Sequence, residues 1–347
     1  MTAQSKNRIV WIDSMKLFAC LLVVVGHQYM SMEAGDWISG DAFYYCFPIQ
    51  TVYTFHVPLF FVCSGYLYQR KKVEYSVRLH INNIKNKALN LGVPYLIFTL
   101  ITLVLKTIFS DAVNNQATPV VWTIFLEPVA PYWYLYTLFF IFCVIPRQRN
   151  RSNLVLLFLI SVIAKILYVF IPWPFTFPDI IGKVVGNAIW FSFGMILTDC
   201  KLRNKILNKA AMVICFIIGV FLSLIYYCVN CDSMSIQFII ATMFVYAFVC
   251  LFTVIIVDKG ENIIPKLSKY FMPIFLMHTI AAAGFRTILL KIGINSLVVH
   301  FSAGLLVSTL VPILVYEIVR RKWWLLFWIE PSEALKMKRK ICLNIKD

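Results

Sequence analysis

Residues 8–27 read RIVWIDSMKLFACLLVVVGH, and residues 55–68 read FHVPLFFVCSGYLY. Each run is mostly apolar yet carries charged or titratable groups: Asp13, Lys16 and His27 after the leading Arg8 in the first, His56 in the second. A helix crossing a bilayer needs about 20 mostly apolar residues, so both runs predict transmembrane helices with polar groups set into them. The first run has no small-residue cleavage site and holds acidic and basic residues, which predicts a retained first span and not a removed signal peptide.

The same pattern continues outward from these two runs. Spans are expected near 9–31, 43–68, 88–109, 131–146, 153–171, 181–198, 208–230, 236–257, 269–290 and 296–319. Hydrophobic residues make up 61% of the 347 and charged ones only 14%, against about half and about a quarter in a soluble domain. Too few polar side chains are present to cover a water-soluble surface. The sequence therefore predicts an all-α polytopic transmembrane bundle of about ten spans. Residues 1–319 form the membrane domain and 320–347 an interfacial, basic tail with Trp323, Trp324 and Trp328. No soluble domain is expected beyond the tenth span.

The net charge of +16 follows from loops rich in Lys and Arg and does not require nucleic acid, since no basic groove or recognition motif accompanies it. With the N-terminus inside, 26 of the 32 basic residues fall in inward segments, whereas the first outward loop carries Glu33, Asp36 and Asp41. That bias predicts both termini in the cytoplasm and a multi-pass protein of the plasma membrane, the inner membrane of a bacterium. Cys228-Val-Asn-Cys231 is the single CxxC and has no second Cys or His pair to complete a metal site, so no metal is expected.

Six basic residues escape that bias. Lys106, Lys183 and Lys291 lie near outer span ends, where a lysine snorkels to the interface. Lys16, Lys165 and Arg286 are harder to place, because a mid-bilayer charge costs about 2.5–3.5 kcal/mol on insertion scales and normally faces a partner or a cavity. Lys165 has no acidic partner in the sequence pattern. Arg286, near the outer surface, can meet an anionic glycan, a lipid phosphate or the headgroups. His300 and His80 read as interface residues.

Asp13, Lys16, Cys20 and His27 follow one another at intervals of 3, 4 and 7. Lys16 and His27 fall about 20° from three whole turns apart, on one stripe and roughly 16 Å along the axis. Such a stripe forms a polar track into the bundle, with His27 in its outer half as a proton acceptor whose ordinary pKa lies near neutrality. The alternative is an interfacial Asp13–Lys16 pair and a histidine satisfied by a neighbouring helix.

At these residues the chain resembles the acyltransferase-3 family of integral membrane acyltransferases. Its pattern is roughly W-I-D-x-x-R/K-x10-H, then F-H-x-P-L-F-F-x-x-S-G-Y/F. Trp11, Ile12, Asp13, Lys16 and His27 meet the first part. Phe55, His56, Pro58, Leu59, Phe60, Phe61, Ser64, Gly65 and Tyr66 meet the second. Lys16 stands where many members carry Arg, so a positive charge is carried over but not a bidentate fork. Weaker echoes are Lys87 to Pro94-Tyr95, the run Pro131-Tyr132-Trp133-Tyr134-Leu135 where a His often stands in place of Pro131 or Tyr132, and Met277-His278.

The resemblance implies transfer of an acyl group, usually acetyl from cytoplasmic acetyl-CoA, to a hydroxyl of a cell-surface or lipid-linked glycan such as O-antigen, exopolysaccharide or enterobacterial common antigen. That chemistry needs a base, oxyanion stabilisation and an anchor for a polyanionic donor. His27 is the expected base, with an acetyl-imidazole intermediate as the alternative. Lys16, oriented by Asp13, would hold CoA together with the Arg70-Lys71-Lys72 loop and Ser64. His56, Tyr66, Trp133, His278 and Arg286 would bind substrate or support the site. His56 can instead bond a carbonyl freed by Pro58, and Ser64-Gly65 can instead serve close helix packing.

Other functions suit ten spans with buried charge. A transferase for succinyl or another acyl group, a transporter or flippase for a lipid-linked saccharide, and an export subunit all fit. Polar residues gather in the first two spans, and no pair of Gly/Pro-broken helices recurs in two matching halves, which favours transfer over transport.

Overall fold

The computed structural model describes residues 9–71, 76–109, 119–229, 233–254 and 263–344. Among them all the regular structure is helical, with no strand. In order, the helices are α1 (Val10–Glu33), α2 (Phe43–Arg70), α3 (Val77–Lys87), α4 (Val93–Ile108), α5 (Val120–Phe125), α6 (Trp133–Val144), α7 (Arg151–Phe170) and α8 (Asp179–Ile196). They continue with α9 (Cys200–Ile206), α10 (Lys209–Val229), α11 (Met234–Val254), α12 (Ile263–Leu267), α13 (Phe271–Lys291), α14 (Leu297–Val319), α15 (Trp323–Leu326) and α16 (Pro331–Asn344). Nine helical stretches among the described residues are long and apolar enough to cross a membrane. In hydrocarbon only an internally hydrogen-bonded backbone is tolerated, so even the β-branched run of α1 stays helical.

Two of the expected spans differ from the structure. The fourth, expected over 131–146, is a helix only from Trp133 to Val144, about 18 Å long at 1.5 Å per residue. Pro131 and Pro146 bracket it and prevent extension. The third, expected over 88–109, begins eleven residues earlier. Ser76 caps α3 by accepting a hydrogen bond from the Leu79 amide at 3.2 Å, and α3 passes into α4 through a π-turn at Ala88–Gly92. The whole helical stretch runs over Val77–Ile108. The basic residues Arg78, Lys85 and Lys87, expected in a loop, therefore sit on the exposed helix α3. The π-turn is braced by Asn90, whose Oδ1 accepts from the Ser332 amide at 3.1 Å.

The chain divides into two compact units. Unit 1 comprises Met1–Gly26, Ile38–Tyr75 and Arg147–Phe271; unit 2 comprises His27–Trp37, Ser76–Pro146 and Met272–Asp347. Unit 1 is built on the crossing of α2 and α8, where small residues let two backbones touch. A Cβ on Gly65 would collide with the Phe191 carbonyl, and one on Gly194 with the Val62 carbonyl. Phe55, Phe244 and Phe248 form a ring cluster beside this crossing, with Phe244 against Gly219. In unit 2, Tyr132 is fully buried. Its hydroxyl donates to the Leu276 carbonyl at 3.0 Å and meets Thr102 Oγ1 at 3.2 Å, joining α4 and α13 ahead of α6. The outer faces of α7, α10 and α14 expose Leu156, Ile160, Ile217, Phe221, Leu306 and Leu314, the pattern of helices whose surroundings are lipid.

Candidate functional site

The helices gather ionisable groups within each unit. In unit 2 the last turns of α1 bring His27, Gln28 and Ser31 against α13 and α14. The imidazole of His27 lies on that of His278, ring centroids 5.2 Å apart and planes tilted by 53°. His278 is 1% exposed, and its Nδ1 lies 3.0 Å from the Ile274 carbonyl and 2.9 Å from that of Phe275. Both partners are acceptors, so Nδ1 carries the proton and Nε2 is left with its lone pair. Nε2 is buried and has no hydrogen-bond partner among the described residues. A fixed tautomer with an open acceptor beside a second imidazole is an arrangement suited to moving a proton.

One turn further along α1, the Arg286 guanidinium reaches from α13 to Ser31. Its Nη1 donates to the Ser31 carbonyl at 3.0 Å and to Ser31 Oγ at 2.6 Å. On the adjoining side of α1, Gln28 Nε2 donates to the His300 carbonyl at 2.9 Å, a fit that needs Gly304, since a Cβ there would strike the Gln28 amide. Trp37 packs on the His300 ring at 3.9 Å between centroids. His300, expected at the interface, is thus 2% exposed, with Nε2 2.7 Å from the Ile294 carbonyl. Its place at the start of α14 suggested an interface, but Trp37 and Gln28 cover it. Trp133 opens α6 immediately after Tyr132. The Tyr132 hydroxyl also meets the Thr279 side chain, so this residue ties the helix that carries His278 to its neighbours. The family resemblance of the Pro131–Leu135 run pointed to the position without revealing that function.

In unit 1, the first turns of α1 carry Asp13 and Lys16, both half-buried. Both charges lie close enough to the Cys63 thiol to act on it electrostatically. Trp11 stands edge-on to Tyr66, centroids 4.8 Å apart at 75°, which fixes the two motif segments side by side. Gly65 serves the α2–α8 crossing; Ser64 precedes it on the same turn. His56 is buried with Nδ1 2.7 Å from the Val52 carbonyl and its ring against Tyr53. Pro58 frees the carbonyl of Thr54, four residues before it, so the expectation that His56 bonds that freed carbonyl is corrected: its partner is Val52.

Arg70 and Lys71, exposed at the end of α2, are held beside further basic residues. Arg147 Nε donates to the Tyr68 carbonyl at 2.9 Å and its guanidinium lies 4.6 Å from the Tyr68 ring. Gln69 donates to the Gln148 carbonyl at 2.7 Å and accepts from the Gln148 amide at 3.0 Å. The pair of glutamines staples two chain segments into one basic corner, and Arg147 is a member of it that motif reading missed. Lys72 and Cys231 lie outside the described residues, and with Cys231 the CxxC.

Two further lysines are accounted for in unit 1. Lys183 pairs with Asp179 one turn back on α8 at 2.5 Å. Lys165 Nζ packs over the rings of Phe238 at 5.3 Å and Tyr168 at 5.9 Å, with room left by Gly186. Cation–π contact replaces the acidic partner that the sequence lacks. Among the described residues no three His, Cys, Asp or Glu side chains come together as metal ligands.

No curated protein and no solved structure matches the chain. A family model for an acyltransferase domain matches residues 9–317. That stretch takes in both motif segments, the Tyr132 hub and the His278 helix, and the chain belongs to the acyltransferase-3 family of membrane acyltransferases.

Proposed function

We propose that the protein moves an acetyl group from cytoplasmic acetyl-CoA to a hydroxyl of a cell-surface or lipid-linked glycan, with His27 as general base. The observation that carries this reading is the contact of His27 with His278, whose tautomer is held by two backbone carbonyls. His27 takes the acceptor's hydroxyl proton as the oxygen attacks the thioester carbonyl. The carbon–sulfur bond then breaks, CoA leaves as the thiol after receiving a proton, and the acetyl ester remains on the glycan. The lone pair of His278 Nε2 can accept a hydrogen bond from the imidazolium that forms transiently at His27, which makes His278 a positioning residue.

The donor is polyanionic, and the basic residues supply its anchor. Lys16 lies on the same unbroken helix as His27. Arg70, Lys71 and Arg147 gather at the end of α2 and favour phosphate groups through charge and hydrogen bonding. In this reading both termini and that basic corner face the cytoplasm of the plasma membrane. Asp13 orients Lys16; Tyr66 and Ser64 line the donor's approach, while Trp133 and His56 support their helices.

The test uses membranes carrying the full chain, labelled acetyl-CoA and the host's surface glycan. Label should reach the glycan, and excess unlabelled acetyl-CoA should dilute it whereas succinyl-CoA should not. Absence of label from the glycan, or dilution by succinyl-CoA alone, overturns the acetyl assignment.

A further inference from the structure

A guanidinium within a membrane span normally faces a carboxylate, a cavity or a ligand. Arg286 sits five residues before the end of α13 and makes no ion pair among the described residues. Its hydrogen bonds there go to Ser31 alone, and both leave from Nη1. Glu33, two residues further along α1, and Asp36 in the following turn do not bind it.

What this leaves is specific. A guanidinium carries five N–H groups in a fixed plane. With Nη1 committed to Ser31, the remaining three belong to Nε and Nη2, and Nε–H and one Nη2–H point parallel along one edge. That edge matches the two oxygens of a carboxylate or phosphate. Elsewhere in this chain, Arg151 uses the same edge on an acid: Nε to Asp199 Oδ2 at 2.8 Å and Nη2 to Oδ1 at 3.2 Å. In Arg286 the edge is braced from behind by Ser31, and the side chain is half-buried. Bracing removes much of the ordering cost that a free arginine meets on binding.

The position is equally specific. Ser31 follows His27 by four residues, one turn of α1 or about 6 Å along its axis. At the lower level α1 meets α13 through His27 and His278; at the upper level it meets α13 through Ser31 and Arg286. One face of unit 2 thus offers a base and, one turn away, an open oxyanion fork. This spacing suits a sugar that bears its acid group and its reacting hydroxyl on the same or the adjoining ring.

We infer that Arg286 recognises the acceptor: its Nε–Nη2 edge receives a carboxylate or phosphate group carried by the glycan, and that contact sets the reacting hydroxyl toward His27. The inference rests on the reading of His27 as base. It narrows the substrate class to anionic glycans.

Binding to the detergent-purified full chain, measured by calorimetry with glucuronate, inorganic phosphate and glucose as probes, tests it apart from turnover. The wild type should bind glucuronate or phosphate, and glucose at least tenfold more weakly. Arg286→Gln should lose that preference. Arg286→Lys keeps a charge but neither the brace nor the fork, and should lose most of it. Ser31→Ala keeps the guanidinium and removes one brace, and should fall between Arg286→Lys and the wild type. Lys165→Gln, which removes a cation elsewhere, should bind as the wild type does. The readout is binding and not turnover, so a failure of the base assignment leaves this result intact. Equal binding of glucose and the anions, no binding of either anion, or a preference unchanged in both Arg286 variants would overturn the proposal. So would an Arg286-dependent interaction seen only with phosphatidylglycerol in nanodiscs, since the anion would then be a bilayer headgroup.

Discussion

The imidazoles of His27 and His278 lie 5.2 Å apart between ring centroids, although 251 positions separate them in the chain. His278 cannot rotate freely, because its Nδ1 is engaged by two carbonyls of its own helix. His278→Gln should therefore lower turnover while leaving the KM for acetyl-CoA unchanged. The loss of a hydrogen bond to a charged group, about 1.5–3 kcal/mol, corresponds to roughly a 10- to 100-fold fall in kcat. A rise in KM with kcat intact would place His278 in donor binding instead.

The glycines of unit 1 make a stability prediction with its own control. Gly65→Ala should destabilise the α2–α8 crossing by about 1–3 kcal/mol, the range for overpacking, because the added methyl meets a backbone carbonyl that cannot move aside. Gly92→Ala meets nothing within 4 Å and has helical backbone angles, so it should be neutral or stabilise by about 0.5–1 kcal/mol. Thermal unfolding of the two variants in one detergent compares them.

Tyr132→Phe removes a hydroxyl that joins α13 to α4 while keeping the ring. A net loss of about 0.5–1.5 kcal/mol in stability is expected for the hydrogen bond. Acetyl transfer should fall too, since α13 carries His278. Unchanged transfer at a lowered Tm would show that this brace serves folding alone.

At the exposed start of α9, Arg151 and the amides of Leu202 and Lys201 hold the Asp199 carboxyl below its usual pKa. A depressed carboxylate contributes stability that is present above its unfolded-state pKa and is lost as pH falls through the folded one. The difference in Tm between wild type and Asp199→Asn should therefore be present near neutral pH, shrink on acidification below the ordinary carboxylate range, and shrink with added salt. Asparagine still caps the helix, so the pH-dependent part isolates the charge. A difference that persists at low pH would contradict this assignment.

Much of the fold was legible because bilayer-spanning helices are written as long apolar runs. The errors came where local punctuation outweighed that signal. Pro131 and Pro146 cut α6 to twelve residues, and the charged stretch over α3 looked like a loop although it forms a helix with no buried residue. Within the site, the spacing of Asp13, Lys16 and His27 on one helix was readable, as was the likeness of both motif segments to a family. The pairing of His27 with His278 and of Ser31 with Arg286 was not, because no local pattern records which distant helix a side chain meets. His300 shows the same limit: it stands at a helix start, where an interface would be expected, and is buried by Trp37.

The base assignment is tested most directly by transfer of label from acetyl-CoA to the surface glycan in membranes holding equal amounts of folded wild type or His27→Ala. Removing a general base costs typically 10²- to 10⁴-fold, so the variant should transfer label at about one hundredth of the wild-type rate or less, with its thermal unfolding unchanged. Equal rates from the two proteins would contradict the role of His27 and, with it, the mechanism built on the histidine pair.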